Sequence, residues 1–207
     1  MSAPVPDASR RSSRARDAIL AAARELVASD GYRGLSIEGI AARAGVGKQT
    51  IYRWWPSKGA VVLDAVLALS EGPDAEVELP DTGDLRADLR TVVRATVDEL
   101  ADPSFEAPLR ALYAAMITDA DLTAAYRRRV ADPGDSAKER RLRSARDAGH
   151  LAPDTDLGLL RELLFAPIVQ RWLLATGPLD HAFADALVEN ALLVARAPAS
   201  TEAETAS

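Results

Sequence analysis

Apolar residues recur along this chain at intervals of three and four, never in a sustained alternation of two, and the pattern restarts after each cluster of Gly, Pro, Ser or Asp. That periodicity buries one face of a helix, so the chain reads as all-α. A first helix runs from Ala18-Ile19-Leu20 through Leu26-Val27 and is ended by Gly31-Tyr32. Two short helices follow. Ser36 is placed to cap the first, because its hydroxyl accepts a bond from a backbone N–H that has no partner in the helix. Ile37, Ile40 and Ala41 then form its inward stripe, and Gly45 stands where a left-handed residue must end it. Val46 plugs the angle between the two. The second short helix is expected over Lys48–Trp55, with Ile51 and Trp55, four apart, facing inward and Pro56 stopping it.

Two short helices joined across Ala44-Gly45-Val46-Gly47 have the layout of a helix-turn-helix, spanning 36–55. A second helix held at that angle is able to enter the major groove of DNA, whose base edges carry sequence information. Its outward residues suit that role: Lys48, Gln49, Thr50, Tyr52, Arg53 and Trp54 are all able to meet DNA, with Ser36 and Lys58 as phosphate anchors on either side.

Beyond Ser57 a helix to about Leu69 carries Val61, Val62, Ala65 and Leu69 at helical spacing. The stretch 71–83, rich in acidic residues, Pro and Gly, breaks all periodicity and marks a domain boundary. A helix from near Asp84 to Asp102-Pro103 has Leu85, Leu89, Val92, Val93, Thr96 and Leu100 as its inner stripe. Further helices are expected at about Phe105 to Ile117, Ala120 to Val130, Ser136 to Ala148, Leu157 to Ala175 and Asp180 to Ala197, with Pro133-Gly134 separating two of them. The domains are thus read as 13–73, with the helix-turn-helix, and 84–197. Residues 1–12 and 198–207 are expected to be disordered.

The run Leu35-Ser36-Ile37-Glu38-Gly39-Ile40-Ala41-Ala42-Arg43-Ala44-Gly45-Val46, followed by Thr50-Ile51-Tyr52-Arg53-Trp54-Trp55-Pro56-Ser57-Lys58, resembles the DNA-binding domain of TetR-type (tetracycline-repressor-like) transcriptional regulators. The resemblance covers about the first third of the chain. It implies an all-helical homodimer, more often a repressor than an activator, on a palindromic double-stranded operator, with a divergent carboxy-terminal domain for dimerisation and a small-molecule effector. Two positions depart from the family. Gly47 opens the recognition helix where a hydroxyl residue is usual, and Gln49 stands where a small residue is usual. A glutamine amide pairs bidentately with adenine N6 and N7, so Gln49 is the first candidate base reader, ahead of Lys48 and Arg53.

Charge follows the same division. The net charge is −6, yet residues 1–60 hold ten Lys and Arg against five Asp and Glu, and the remainder 15 against 26. One basic end fits phosphates, and Arg10, Arg11, Arg14 and Arg16 extend it as an arm or a solubilising tail. With no cysteine, disulfides and thiol sensing are excluded. No apolar run is long enough to span a bilayer and no apolar signal segment precedes Arg10-Arg11, so the expectation is a cytoplasmic protein without a membrane partner.

The last two long helices carry more apolar surface than one buried stripe needs. Leu160, Leu164 and Ile168 on one, with Phe183, Leu187, Ala191 and Val194 on the other, are the candidate dimer interface, where the resemblance implies an intersubunit four-helix bundle; the alternative is the interior of a monomeric bundle. Pro167 is expected to bend the first of them. Phe105, Tyr113, Met116, Phe165, Gln170 and Trp172 are candidate pocket residues, with ordinary core as the alternative for each.

His150 with Asp154 and Asp156 reads as a helix end and turn rather than a metal or acid–base group. Arg127-Arg128-Arg129 and Lys138 to Arg146 read as solvated faces. No catalytic motif, metal-ligand spacing or phosphate loop occurs, so neither enzyme activity nor a cofactor is expected. The competing function is a helical small-molecule-binding or catalytic protein with a vestigial helix-turn-helix.

Overall fold

The computed structural model describes residues 8–69 and 79–195, with side chains from residue 12 onward. The side chains of Arg10 and Arg11, most of the acidic stretch, residues 1–7 and the tail 198–207 lie outside the described residues, whereas residues 8–12, expected to be disordered, form the start of the first helix. Among the described residues the structure is helical with no strand, in the order α1 (Ala8–Gly34), α2 (Ile37–Ala44), α3 (Lys48–Tyr52), α4 (Lys58–Leu67), α5 (Leu85–Ala101), α6 (Pro103–Met116), α7 (Ala120–Tyr126), a π turn (Arg127–Ala131), α8 (Asp132–Asp147), α9 (Leu157–Leu174) and α10 (His181–Ala195). They form two compact units, α1–α4 with α6 and α7, and α5 with α8–α10. The units do not follow the linear boundary expected between 73 and 84, because α6 and α7 fold with the first.

In the first unit α1 contributes Ile19, Leu20, Ala22, Ala23 and Val27 to the core and breaks at Gly31, whose φ of 67° and ψ of 175° no helix accepts. Helix α4 buries nearly its whole circumference, with Val61, Val62, Leu63, Ala65 and Val66 all covered. Space is tight at its first turn. A Cβ on Gly59 would stand 2.8 Å from Leu122 Cδ2 of α7 and 3.2 Å from the Tyr32 hydroxyl, so a larger residue there would push the Leu122 side chain aside. Helix α6 begins two residues earlier than expected, since Asp102 accepts from Ser104 N–H at 2.8 Å and Pro103 occupies the first turn, where its missing N–H costs nothing.

Pro133-Gly134 does not separate two helices as expected. The backbone stays helical from Ala120 to Asp147, and the irregularity is the π turn just ahead of Pro133. A proline offers no N–H to the carbonyl four residues back and its ring crowds it. That carbonyl belongs to Arg129, and widening the helix there relieves the clash.

In the second unit Leu85, Leu89, Val93, Val97 and Leu100 form the buried stripe of α5, with Val92 and Thr96 half-buried beside it. An ionic seam joins α5 to α10: Arg86 and Arg90 both meet Glu189, and Arg94 grips Asp185 through two nitrogens. The stretch Lys138–Arg146 is not wholly a solvated face. Arg141 is buried, donating to Asp88 at 2.7 Å and to the Pro80 carbonyl at 2.7 Å, while Asp88 also accepts from the Thr82 N–H and hydroxyl. Burial alone would raise the Asp88 pKa, but these donors outweigh it and hold the carboxyl below its ordinary range. Gly149 at φ 78° and the bond from His150 N–H to the Ala145 carbonyl end α8, the turn expected around His150.

Candidate nucleic-acid interface

The helix-turn-helix is built by local rules. Ser36 Oγ accepts from Gly39 N–H at 3.0 Å, and Gly45, at φ 67° and ψ 33°, ends α2 while Val46 N–H closes on the Ala41 carbonyl at 3.0 Å. Gly47 caps α3 through its backbone alone. Helix α3 is shorter than expected and ends at Tyr52 rather than Trp55. The N–H groups of Trp54 and Trp55 both converge on the Ile51 carbonyl at 2.9 Å, and Pro56 disfavours a helical Trp55.

Ile51, 0% exposed, and Trp55, 3%, anchor this short helix. The opposite face carries Lys48, Gln49, Tyr52 and Arg53 in the open, with Thr50 and Trp54 half-buried. The structure thus brings six of the eight nominated residues onto α3 and the two residues following it. Arg53 lies over the Trp54 ring at 4.7 Å, and Trp54 meets Trp55 edge-on at 5.5 Å. Lys48 pairs with Glu38 at 3.0 Å, and that bond holds the Glu38 carboxyl below its ordinary range.

Ser36 and Lys58 flank this face with their polar atoms already engaged. Ser36 serves as the cap of α2. The Lys58 ammonium donates to the carbonyls of Tyr32, 3.1 Å, and Leu35, 2.8 Å, and lies 4.4 Å from the centre of the Tyr32 ring. It clips the end of α1 to the start of α4, which leaves one of its three donors for a phosphate.

The nominated interface and pocket residues fare differently. Leu160, Leu164, Ile168 and Ala191 are buried inside the second unit, so they offer no face to another subunit. Phe183 and Leu187 are half-buried, and Val194 is exposed. The open apolar surface of α9 and α10 is instead Leu159, Leu163, Leu173, Leu174, Leu193 and Val194. Helix α9 stays helical through Pro167 and is apolar on two faces, and the stripe read from the sequence is the inner one.

Phe105, Tyr113 and Met116 lie on α6 in the first unit, whereas Phe165, Gln170 and Trp172 lie on α9 in the second. Tyr113 stacks edge-on with Tyr126, Lys138 sits over Phe165, Trp172 is buried and Gln170 is exposed. Cavities of about 320, 300 and 470 Å³ in the second unit are lined by other residues, the first by Asp84, Arg86 and His150, the second by Leu159, Leu163 and Val194, and the third by Arg90, Thr91 and Arg94.

One residue escaped the sequence reading. Asp64 is the only charge between Gly59 and Leu67, and a lone carboxylate in such an apolar run was the available signal.

Residues 19–65 match the family model for bacterial regulatory proteins, tetR family, and residues 79–191 match that for the tetracyclin repressor-like C-terminal domain. The chain belongs to the TetR family. As a TetR-family protein it is a DNA-binding transcriptional regulator, and the amino-terminal match takes in the whole helix-turn-helix. It is 36% identical to a DNA-binding transcriptional repressor TetR of Mycobacteroides abscessus over 86% of this chain and 91% of that one. It is 29% identical to an uncharacterized HTH-type transcriptional regulator, YdeS, of Bacillus subtilis, over 89% of this chain and 91% of that one. The crystal structure of the TetR family transcription regulator SCO0332 superposes with a TM-score of 0.66 at 38% identity, covering 86% of this chain and 96% of that one. Among the described residues no helix is long and apolar enough to cross a membrane.

Proposed function

We propose that this TetR-family regulator acts as a homodimeric repressor that reads a palindromic operator with two copies of α3 and leaves it when a small-molecule effector binds. The observation that carries the reading is the division of α3 into a buried Ile51 and an open face of Lys48, Gln49, Tyr52 and Arg53. Gln49 and Lys48 read base edges, with Arg53 beside them. Thr50, Tyr52, Trp54, Ser36 and the remaining donor of Lys58 meet the backbone. The exposed leucines of α9 and α10 support the dimer, since a second copy covers apolar surface that the monomer leaves in water. The relative named as a repressor supports the direction of regulation.

Selection of duplexes from a random pool, followed by anisotropy titration of the recovered sequence at several salt concentrations, tests the reading. A palindrome bound by two chains, with affinity falling steeply as salt rises, is expected. Recovery of no saturable duplex contradicts it. The recovered duplex then reports candidate effectors, which must release it to be counted as inducers.

A further inference from the structure

Asp64 stands in the middle of α4 with its side chain only 11% exposed, and donors from three separate segments converge on its carboxylate. Arg16 of α1 reaches Oδ2 at 2.9 Å. The Trp55 indole N–H, in the link that leaves the recognition helix, reaches the same oxygen at 2.9 Å. Arg129, in the π turn, reaches Oδ1 at 2.6 Å. A carboxylate offers about four acceptor positions, so three of them are filled by groups far apart along the chain. Burial alone would push the Asp64 pKa up, but Trp55, Arg129 and Arg16 outweigh it, and the carboxyl is held below its ordinary range.

The donors differ in where they come from. Trp55 lies in the stretch matched by the amino-terminal family model and Arg16 just ahead of it, while Arg129 lies in the stretch matched by the carboxy-terminal model. Arg129 does not act alone on α4. Leu122 of α7 occupies the space above Gly59, so α7 and its π turn hold α4 at two places, one turn and a half apart.

We infer that Arg129 is a positioning residue for DNA recognition: through Asp64 it steadies Trp55, and with it α3. This rests on the reading of α3 as the DNA-reading helix. The ion pair of Arg129 is with Asp64 of α4, so its effect is on the placement of α3 and not on phosphate contact.

The test uses the full chain and the duplex recovered by selection. R129Q keeps a polar side chain at a half-exposed position. It is expected to bind roughly tenfold more weakly per active dimer, with an unchanged salt slope. R161Q, which removes a cation paired with Asp135 and Glu139 in the second unit, serves as the control and should bind like the parent. In fluorotryptophan-labelled protein the fluorine signal of Trp55 should move in R129Q and that of Trp172 should not. Because the effect runs through Asp64, the double variant D64N/R129Q should bind no worse than D64N, and R129K should recover part of the loss.

R129Q binding with the parent's affinity, or a loss that adds fully to that of D64N, would overturn the inference. So would an unmoved Trp55 signal. A parent that recovers no duplex overturns the DNA reading itself, whereas a parent that binds and an R129Q that binds equally overturns only the role of Arg129.

Discussion

Ile51 is the residue on which α3 hangs, and its truncation has a calculable cost. Helix α3 is five residues long, too short to persist on its own, so it is held by what lies behind it. The Ile51 side chain is fully covered. Ile51→Val removes one methylene and should cost about 1 kcal/mol. Ile51→Ala removes three carbons, about 2.4 kcal/mol by transfer at ~0.8 kcal/mol each. A cavity term adds to this, because Trp55 is fixed by its bond to Asp64 and is not free to collapse into the gap. The expected total is about 3–4 kcal/mol. At roughly 2–4 °C per kcal/mol for a chain of this size, Ile51→Ala should melt about 6–16 °C below the parent and Ile51→Val about 2–4 °C below. Thermal melts followed by circular dichroism and by tryptophan emission measure both. Weaker DNA binding per folded molecule should accompany the larger truncation. An Ile51→Ala protein that melts within 2 °C of the parent would refute the view that this one side chain anchors α3.

Three further outcomes are expected. Gln49→Ala should relax preference at one base pair by about 1–3 kcal/mol with no change in salt slope, while Lys58→Ala should lower the slope by about one unit for every sequence. An unchanged slope for Lys58→Ala would mean that Lys58 only clips α1 to α4. Leu193→Glu, at a position 62% exposed in the monomer, should leave a folded chain that light scattering finds monomeric and that no longer binds the selected palindrome; a dimer would remove α10 from the proposed seam. Arg141→Met should destabilise the second unit at neutral pH and less so in acid. The folded-state pKa of Asp88 is depressed, so the pair contributes above the unfolded pKa and its contribution is lost as pH falls through the folded one; a gap between parent and variant that is constant with pH would contradict this.

The features legible in the sequence were those set by neighbours a few residues apart. Ser36 caps, Gly45 turns left-handed, and Ile51 with Trp55 face inward because hydrogen bonding and side-chain direction in a helix depend only on local spacing. The candidate DNA face followed from the same rule, since the residues opposite Ile51 are outward whatever α3 leans on. Tertiary structure alone decided the rest. Periodicity cannot choose between two apolar faces of one helix, so Leu160, Leu164 and Ile168 rather than Leu159 and Leu163 became core only when α9 met α5, α8 and α10. Nor does it tell an exposed charge from a buried one. Arg141 is covered because Asp88, 53 residues away, supplies the compensating carboxylate, and Lys58 turns toward the carbonyls of Tyr32 and Leu35, 26 and 23 residues before it. Asp64 is the sharpest case. A carboxylate in an apolar helix is costly until Arg16, Trp55 and Arg129 converge on it, and that convergence exists only once the chain has folded.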